Sequence, residues 1–215
     1  LISAINIISM QIKQGNFEPV DYEVSFRKNG KYPPIKLTLN NGEEITLVGQ
    51  IDRIDELEKD DSKYIRIVDY KSGDKSINLT EVYYGLQLQL LVYLDAIIES
   101  DKYKKSTLKP AAILYNRIDN PIVKSNEDQK DSIINEEILK KLRMNGLVLK
   151  DKDIIGEMDL SLKEGDRKTS LVIPANFDKN GNIGRYTKGV TDEEFDILRE
   201  YVKYEVKELC ERMVG

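Results

Sequence analysis

Apolar residues fall nearly all round the first fourteen positions, at Leu1, Ile2, Ile5, Ile7, Ile8, Met10 and Ile12. That distribution predicts a helix that is buried or packs on a partner. Gly15 and Asn16 end it. The period then changes from helical to alternating. In "VDYEVSFR", residues 20–27, Val20, Tyr22, Val24 and Phe26 share one face of a strand, and Asp21, Glu23, Ser25 and Arg27 share the other. "IKLTL" (35–39) and "EITLVGQIDRI" (44–54) flank "NNGE", which predicts a hairpin. "DELEKDDSK" makes the next turn and "YIRIVDYKSG" the next strand, so three or four consecutive strands form an antiparallel meander.

A helix is predicted from Thr80 to about Glu99, with Val82, Leu86, Leu90, Tyr93 and Ile97 at helical spacing. "KPAAILYNRI" from Lys109 reads as a fifth strand, and the helix before it suggests a crossover connection. A helix near residues 136–144 and a further strand in "SLVIPANF" follow, and "DKNGNIGRYTKG" is loop. Thr191 and Glu194 have capping-box spacing ahead of a final helix with Phe195, Leu198, Val202, Val206, Leu209 and Met213 in its apolar stripe. The order predicts an α/β (α+β) fold in which a mixed central β-sheet is flanked by helices.

Composition removes whole chemistries from this frame. The chain of 215 residues contains no histidine and one cysteine, Cys210. Serine or cysteine triads that need histidine, and histidine zinc sites, cannot be built from it. No internal disulfide is possible, which suits a reducing cytoplasm. No window is apolar enough to span a bilayer, so no membrane is expected. The opening has neither a basic stretch nor a cleavage site and is not read as a signal peptide. It begins at Leu1, and the chain reads as a piece of something longer. The net charge of −5 argues against strong autonomous nucleic-acid binding but leaves room for a local basic groove.

Any catalysis must therefore use Asp, Glu, Lys, Tyr or a hard metal held by oxygen. Asp69 and Lys71, two apart on a strand, emerge on one face, and a hairpin can bring Asp52 beside Asp69. Carboxylates that close repel unless a cation lies between them, and Mg²⁺ accepts one or two of them. With a lysine alongside, such a site suits phosphodiester hydrolysis. Taken singly, each part has a plainer reading. A lone D-x-K is usually a solvated face, and Asp52, Arg53 and Asp55 can make surface ion pairs worth little. Gln89 and Tyr93 on a helix are more often structural, and Glu23 on a polar strand face is solvated.

Together, "GQIDRID", "IVDYKSG" and "GLQLQLLVYLDA" resemble the RecB-type branch of the PD-(D/E)XK nucleases, and in particular the C-terminal nuclease domains of AddB-type helicase–nuclease subunits. "PAAILYNRIDNP", "LRMNGLVLKDKDII" and "VTDEEFDILREYV" extend that resemblance over most of the chain. It implies a restriction-endonuclease-like core at about 16–120 with helical additions at about 121–215, in one domain of 1–215 truncated at both ends. It also implies an Mg²⁺-dependent (Mn²⁺ possible) deoxyribonuclease, an exonuclease acting on a DNA single strand beside an AddA-type helicase–nuclease subunit, in double-strand-break repair and recombination. By position, Asp52, Asp69 and the backbone carbonyl of Tyr70 become metal ligands and Lys71 the catalytic lysine. Gln89 and Tyr93 line the site or contact DNA, and Glu23 matches an acidic residue ahead of the meander.

Two departures stand out. Relatives of this type often carry a histidine on a helix before the meander, and this chain has none. AddB-type subunits also hold an iron–sulfur cluster on four cysteines, whereas Cys210 stands alone in a helix at no cluster spacing. The alternatives are a non-catalytic domain that guides DNA or scaffolds a partner subunit, and an unrelated acidic Mg²⁺ phosphatase or nucleotide hydrolase, for which the chain has no P-loop signature.

Overall fold

The computed structural model describes residues 2–28, 30–32, 34–100, 107–119, 121 and 131–214. The chain runs α1 (Ile2–Lys13), β1 (Glu18–Phe26), β2 (Ile35–Thr38), β3 (Glu44–Leu47), β4 (Gly49–Lys59), β5 (Ser62–Lys71), α2 (Leu79–Tyr83) and α3 (Gln89–Ile98). It continues through β6 (Thr107–Arg117), α4 (Asp131–Leu142), β7 (Asn145–Leu149), α5 (Lys152–Met158), α6 (Leu160–Lys163), β8 (Gly189–Val190) and α7 (Asp192–Val214). Six strands form one sheet in the order β1-β4-β5-β6-β7-β8. β5 pairs parallel with β6 and β7 with β8, and the other neighbours are antiparallel, so the sheet is mixed.

Burial explains the topology. β6 carries a continuous apolar run at residues 111–114, and β5 carries Ile65, Ile67 and Val68, broken only by Arg66; all of these apolar residues are fully buried. Strands covered on both faces read this way, and a parallel pair needs a crossover. α2 and α3 provide it. Leu90, Leu91, Leu94 and Ile97 of α3 are buried, and Phe195 and Val202 of α7 complete that layer. Arg199 of α7 reaches Asp95 of α3 at 2.8 Å. α1 meets Asn116, the neighbour of Tyr115 on β6 and therefore on the opposite face. Gln11 accepts from Asn116 Nδ2 at 2.8 Å and donates to the Leu142 carbonyl at 2.9 Å.

The end of α1 is fastened to α5 and α6. Leu160 N–H donates to the Gln14 carbonyl at 2.9 Å, and a Cβ on Gly15 would stand 2.5 Å from the Met158 carbonyl oxygen. Only glycine permits that approach. Glu157 accepts from Asn16 at 2.6 Å, Lys163 at 2.7 Å and Lys59 at 3.4 Å. Burial pushes its carboxyl up, but these three donors outweigh burial and hold it at about 2, below its ordinary 4.5. The sign follows directly. A depressed folded value gives stability that is present above 4.5 and is lost as pH falls towards 2. Glu157→Gln should therefore flatten the decline in urea-unfolding free energy between pH 5 and pH 3. An equally steep decline in the variant would remove Glu157 from the acid limb.

Several expectations need correction. The predicted continuous helix from Thr80 to Glu99 is two helices, because Gly85 turns the backbone at φ +74° between them. The strand predicted across residues 44–54 breaks at Val48 into β3 and β4. β2 and β3 then form their own two-stranded sheet, and β1 pairs with β4 rather than with its sequence neighbour. "SLVIPANF" is no strand. Its backbone bends, Ser170 Oγ accepts from Val172 and Ile173 N–H, and only isolated bridges at Asn176 and Phe177 remain. The sheet instead gains β7 from the short run "NGLVL", so the region read as helical also supplies strands. Thr191 and Glu194 do form the reciprocal capping box, at 3.2 and 2.8 Å. Among the described residues no helix is long and apolar enough to cross a membrane. The lysine-rich "KYKKSTLK" (102–109), a candidate for local phosphate contacts, lies mostly outside the described residues.

Candidate functional site

β4 and β5 pair with Arg53 opposite Val68, and one further step of that register sets Asp52 opposite Asp69. Asp69 is buried, at 4% exposure, while Asp52, near the start of β4, and Lys71, at the end of β5, are half-buried. Asp52 Oδ2 accepts from the Tyr70 N–H at 2.7 Å, which ties the two strands at this point. Lys71 Nζ lies 2.5 Å from Asp69 Oδ2. The angles of that ion pair are not those of a hydrogen bond, and no hydrogen bond reaches this buried oxygen.

Tyr115 pairs with Asp69 across β5 and β6 and walls the site. Burial, with the charges of Asp69 and Glu81, pushes its phenol up to about 12, so it stays neutral near pH 7. The ammonium groups of Lys71 and Lys75 stand 5.8 and 5.2 Å from the centre of its ring, within cation–π range. The periodicity of β6 concealed this role, because Tyr115 reads as one more apolar strand residue.

Tyr93 is buried and stacks on Phe26 with ring centres 5.5 Å apart. Its hydroxyl accepts from the Gln50 N–H at 3.2 Å and from Gln89 Nε2 at 3.1 Å. Gly49, the first residue of "GQIDRID", has a packing reason: a Cβ there would stand 2.2 Å from the Tyr93 hydroxyl. Gln89 is exposed at the start of α3. Glu23 is exposed and lines a shallow open groove with Tyr22, Gln50, Asp52 and Tyr70. Its φ of +48° is the left-handed region, which costs a non-glycine residue on the order of 1 kcal/mol. The expected alternation along β1 fails here: Asp21 is buried, whereas Val20 and Tyr22 are exposed.

Of the three charged residues read as surface ion pairs, Asp52 is half-buried and Arg53 and Asp55 are the opposite of exposed: together with Arg66 they are 0–1% exposed beneath the site. Arg53 Nε lies 2.8 Å from Asp55 Oδ1, and Arg66 Nη2 lies 2.7 Å from Asp55 Oδ2. Arg53 also donates to the Tyr70 hydroxyl at 2.7 Å. Burial pushes the Tyr70 phenol up, partly countered by Arg53. The cluster thus braces the residue between Asp69 and Lys71. No sequence signal marked this burial.

The donor set is all oxygen. Among the described residues no three of His, Cys, Asp and Glu gather as a metal-holding group. Two carboxylates nevertheless satisfy the protein share of a magnesium shell, which keeps several waters. The buried Asp69 carboxylate, whose charge is met here by the Lys71 ammonium, fits that use.

Residues 6–214 match the PD-(D/E)XK nuclease superfamily. The chain is similar to an ATP-dependent helicase/deoxyribonuclease subunit of Clostridioides difficile (strain 630), 62% identical over 215 residues that make up all of this chain and 19% of that protein. The protein of the same description from Thermoanaerobacter sp. (strain X514) is 53% identical over 215 residues, 100% of this chain and 18% of its own length. That of Acetivibrio thermocellus is 46% identical over 212 residues, 98% and 18% respectively. The chain spans about a fifth of the length of these curated relatives.

Proposed function

The chain belongs to the PD-(D/E)XK nuclease superfamily, and from that premise we propose that it is the nuclease part of a helicase–deoxyribonuclease subunit, hydrolysing DNA phosphodiester bonds with Mg²⁺. The observation that carries the reading is the meeting of Asp52, near the start of β4, with Asp69 and Lys71, at the end of β5, where the buried Asp69 carboxylate is met by the Lys71 ammonium at 2.5 Å. Nucleases of this superfamily generally use divalent metals. Asp52, Asp69 and the Tyr70 carbonyl would hold the ion. When bound, it polarises a phosphoryl oxygen and lowers the pKa of a nearby water.

The chain's own residues do the rest. Lys71, held against Asp69, orients the attacking water and offsets charge developing on the phosphate. The water oxygen bonds to phosphorus as it gives up a proton to solvent, the bond from phosphorus to the leaving sugar oxygen breaks, and that oxygen takes up a proton from solvent, leaving a phosphate monoester and a sugar hydroxyl. No covalent enzyme intermediate forms. Gln89 and Tyr93 line the site and position the strand, and Glu23 stands at its rim. The domain would work beside a partner helicase–nuclease subunit, on single strands, during double-strand-break repair and recombination in the cytoplasm.

End-labelled single-stranded DNA should be degraded with Mg²⁺ and survive in EDTA. Asp69→Asn should weaken Mg²⁺ binding by tenfold or more in a calorimetric titration. Unchanged affinity would count against Asp69 as a ligand.

A further inference from the structure

We propose that Tyr83, Tyr84 and Leu86 form a stacking platform for the unpaired bases of a single strand entering the site. This deepens the nuclease reading and rests on it. The three side chains are 62%, 70% and 74% exposed, an apolar and aromatic surface at the turn between α2 and α3. The turn exists because Gly85 adopts φ +74° there. Tyr83 and Tyr84 meet edge to face, with ring centres 5.3 Å apart. Tyr83 lies nearly parallel to Tyr201 of α7, 5.9 Å away and tilted by 6°. The Tyr201 hydroxyl donates to the Tyr83 carbonyl at 2.6 Å. The rings are therefore exposed yet held.

Their place points to DNA rather than to another occupant. Glu81, three residues before Tyr84 on the same helix face, bears electrostatically on Tyr115, the partner of Asp69 across the sheet. Gln89, three residues beyond Leu86, contacts the Tyr93 hydroxyl. The platform thus flanks the candidate scissile position, and Lys71 and Lys75 stand at Tyr115 to meet phosphates. Two acids stand beside the patch with their charge intact, Glu81 accepting from the neutral Gln87 amide and Glu205 Oε1 lying 3.0 Å from the Tyr201 hydroxyl, so bases on the rings rather than phosphates would make the contact here. Aromatic rings stack on bases only when the bases are unpaired, whatever their identity. The platform would favour single strands over duplex, without sequence preference.

The test measures fluorescence-anisotropy binding of a short single strand, an all-abasic strand of equal length and a duplex, in EDTA. Wild type should bind the base-bearing strand roughly tenfold more tightly than the abasic one. In Tyr84→Ala that difference should shrink to near unity, and Tyr84→Trp should restore it. Tyr84 is the informative position, because Tyr83 also supports α7. An undiminished base preference in Tyr84→Ala, or none in wild type, overturns the platform and leaves the patch to a protein partner. Cleavage with Mg²⁺ is followed alongside. Base preference without cleavage would sink the nuclease reading while supporting the platform.

Discussion

Lys71→Ala ends DNA cleavage, with a rate loss of about 10²–10⁴-fold or more, and leaves the fold in place. The lysine is the only cation within ion-pair distance of Asp69 among the described residues, and its side chain is 31% exposed. Its loss removes the group that orients water and meets phosphate charge. The cost to stability is limited because solvent already reaches the ammonium: about 1–2 kcal/mol, part of it recovered when Mg²⁺ binds. Single-turnover cleavage of labelled single-stranded DNA, with thermal melts of both proteins, checks the prediction. Cleavage by the variant at the wild-type rate would remove Lys71 from the mechanism. A variant that fails to fold would instead make the lysine a structural counter-charge. Lys71→Met, which keeps the chain's length and apolar stem, separates these two results.

Asp55→Ala should cost more stability than any surface change in this protein, about 3–5 kcal/mol. It leaves two guanidinium groups buried without their shared carboxylate. Burial already pushes Arg66 down from its ordinary value, the attraction of Asp55 opposes that, and Arg53 works with burial. For a chain of 215 residues the loss corresponds to a melting-point drop of roughly 6–20 °C. The informative companion is the triple change Arg53→Met, Asp55→Leu and Arg66→Met, which removes every buried charge of the cluster. Its stability should lie well above that of the single variant and near wild type. Its cleavage should still fall, because the Tyr70 hydroxyl loses the donor that braces it. A triple variant as unstable as the single one would show that packing, rather than stranded charge, sets the penalty.

These two experiments address residues of unequal visibility. Asp52, Asp69 and Lys71 stood out because carboxylates and an ammonium are poor company for a strand, and alternation alone placed Asp69 and Lys71 on one face. The capping box at Thr191 was legible because it is a local contact between residues three apart. Arg53, Asp55 and Arg66 were not, since charged strand residues look the same in sequence whether they face water or lie in the core. Only the pairing of Asp55 with Arg66 across two strands and the ring of Phe17 over Arg66 decide it. β7 escaped notice because five residues with a glycine carry too short a pattern, and its place depends on β6 offering an edge. The break at Gly85 was hidden by apolar spacing that continues in phase across it. Leu86 fits the stripe in sequence yet stands 74% exposed.

The fastening of α1 bears on how the chain reaches this state in time. Gln11 and Leu142 are 131 positions apart, and Asn16 and Glu157 are 141. At a synthesis rate of about 5–20 residues per second, roughly 7–28 s separate α1 from the segment that anchors it. The carboxylates and lysine lie in about the first third of the chain, but the segment that fastens α1 arrives late. Contacts of such long sequence separation slow folding, since loop closure precedes any gain. A nascent chain therefore carries the reactive residues well before it can hold them in place, and the acquisition of cleavage during refolding should track the docking of α5 rather than the formation of the hairpin between β4 and β5.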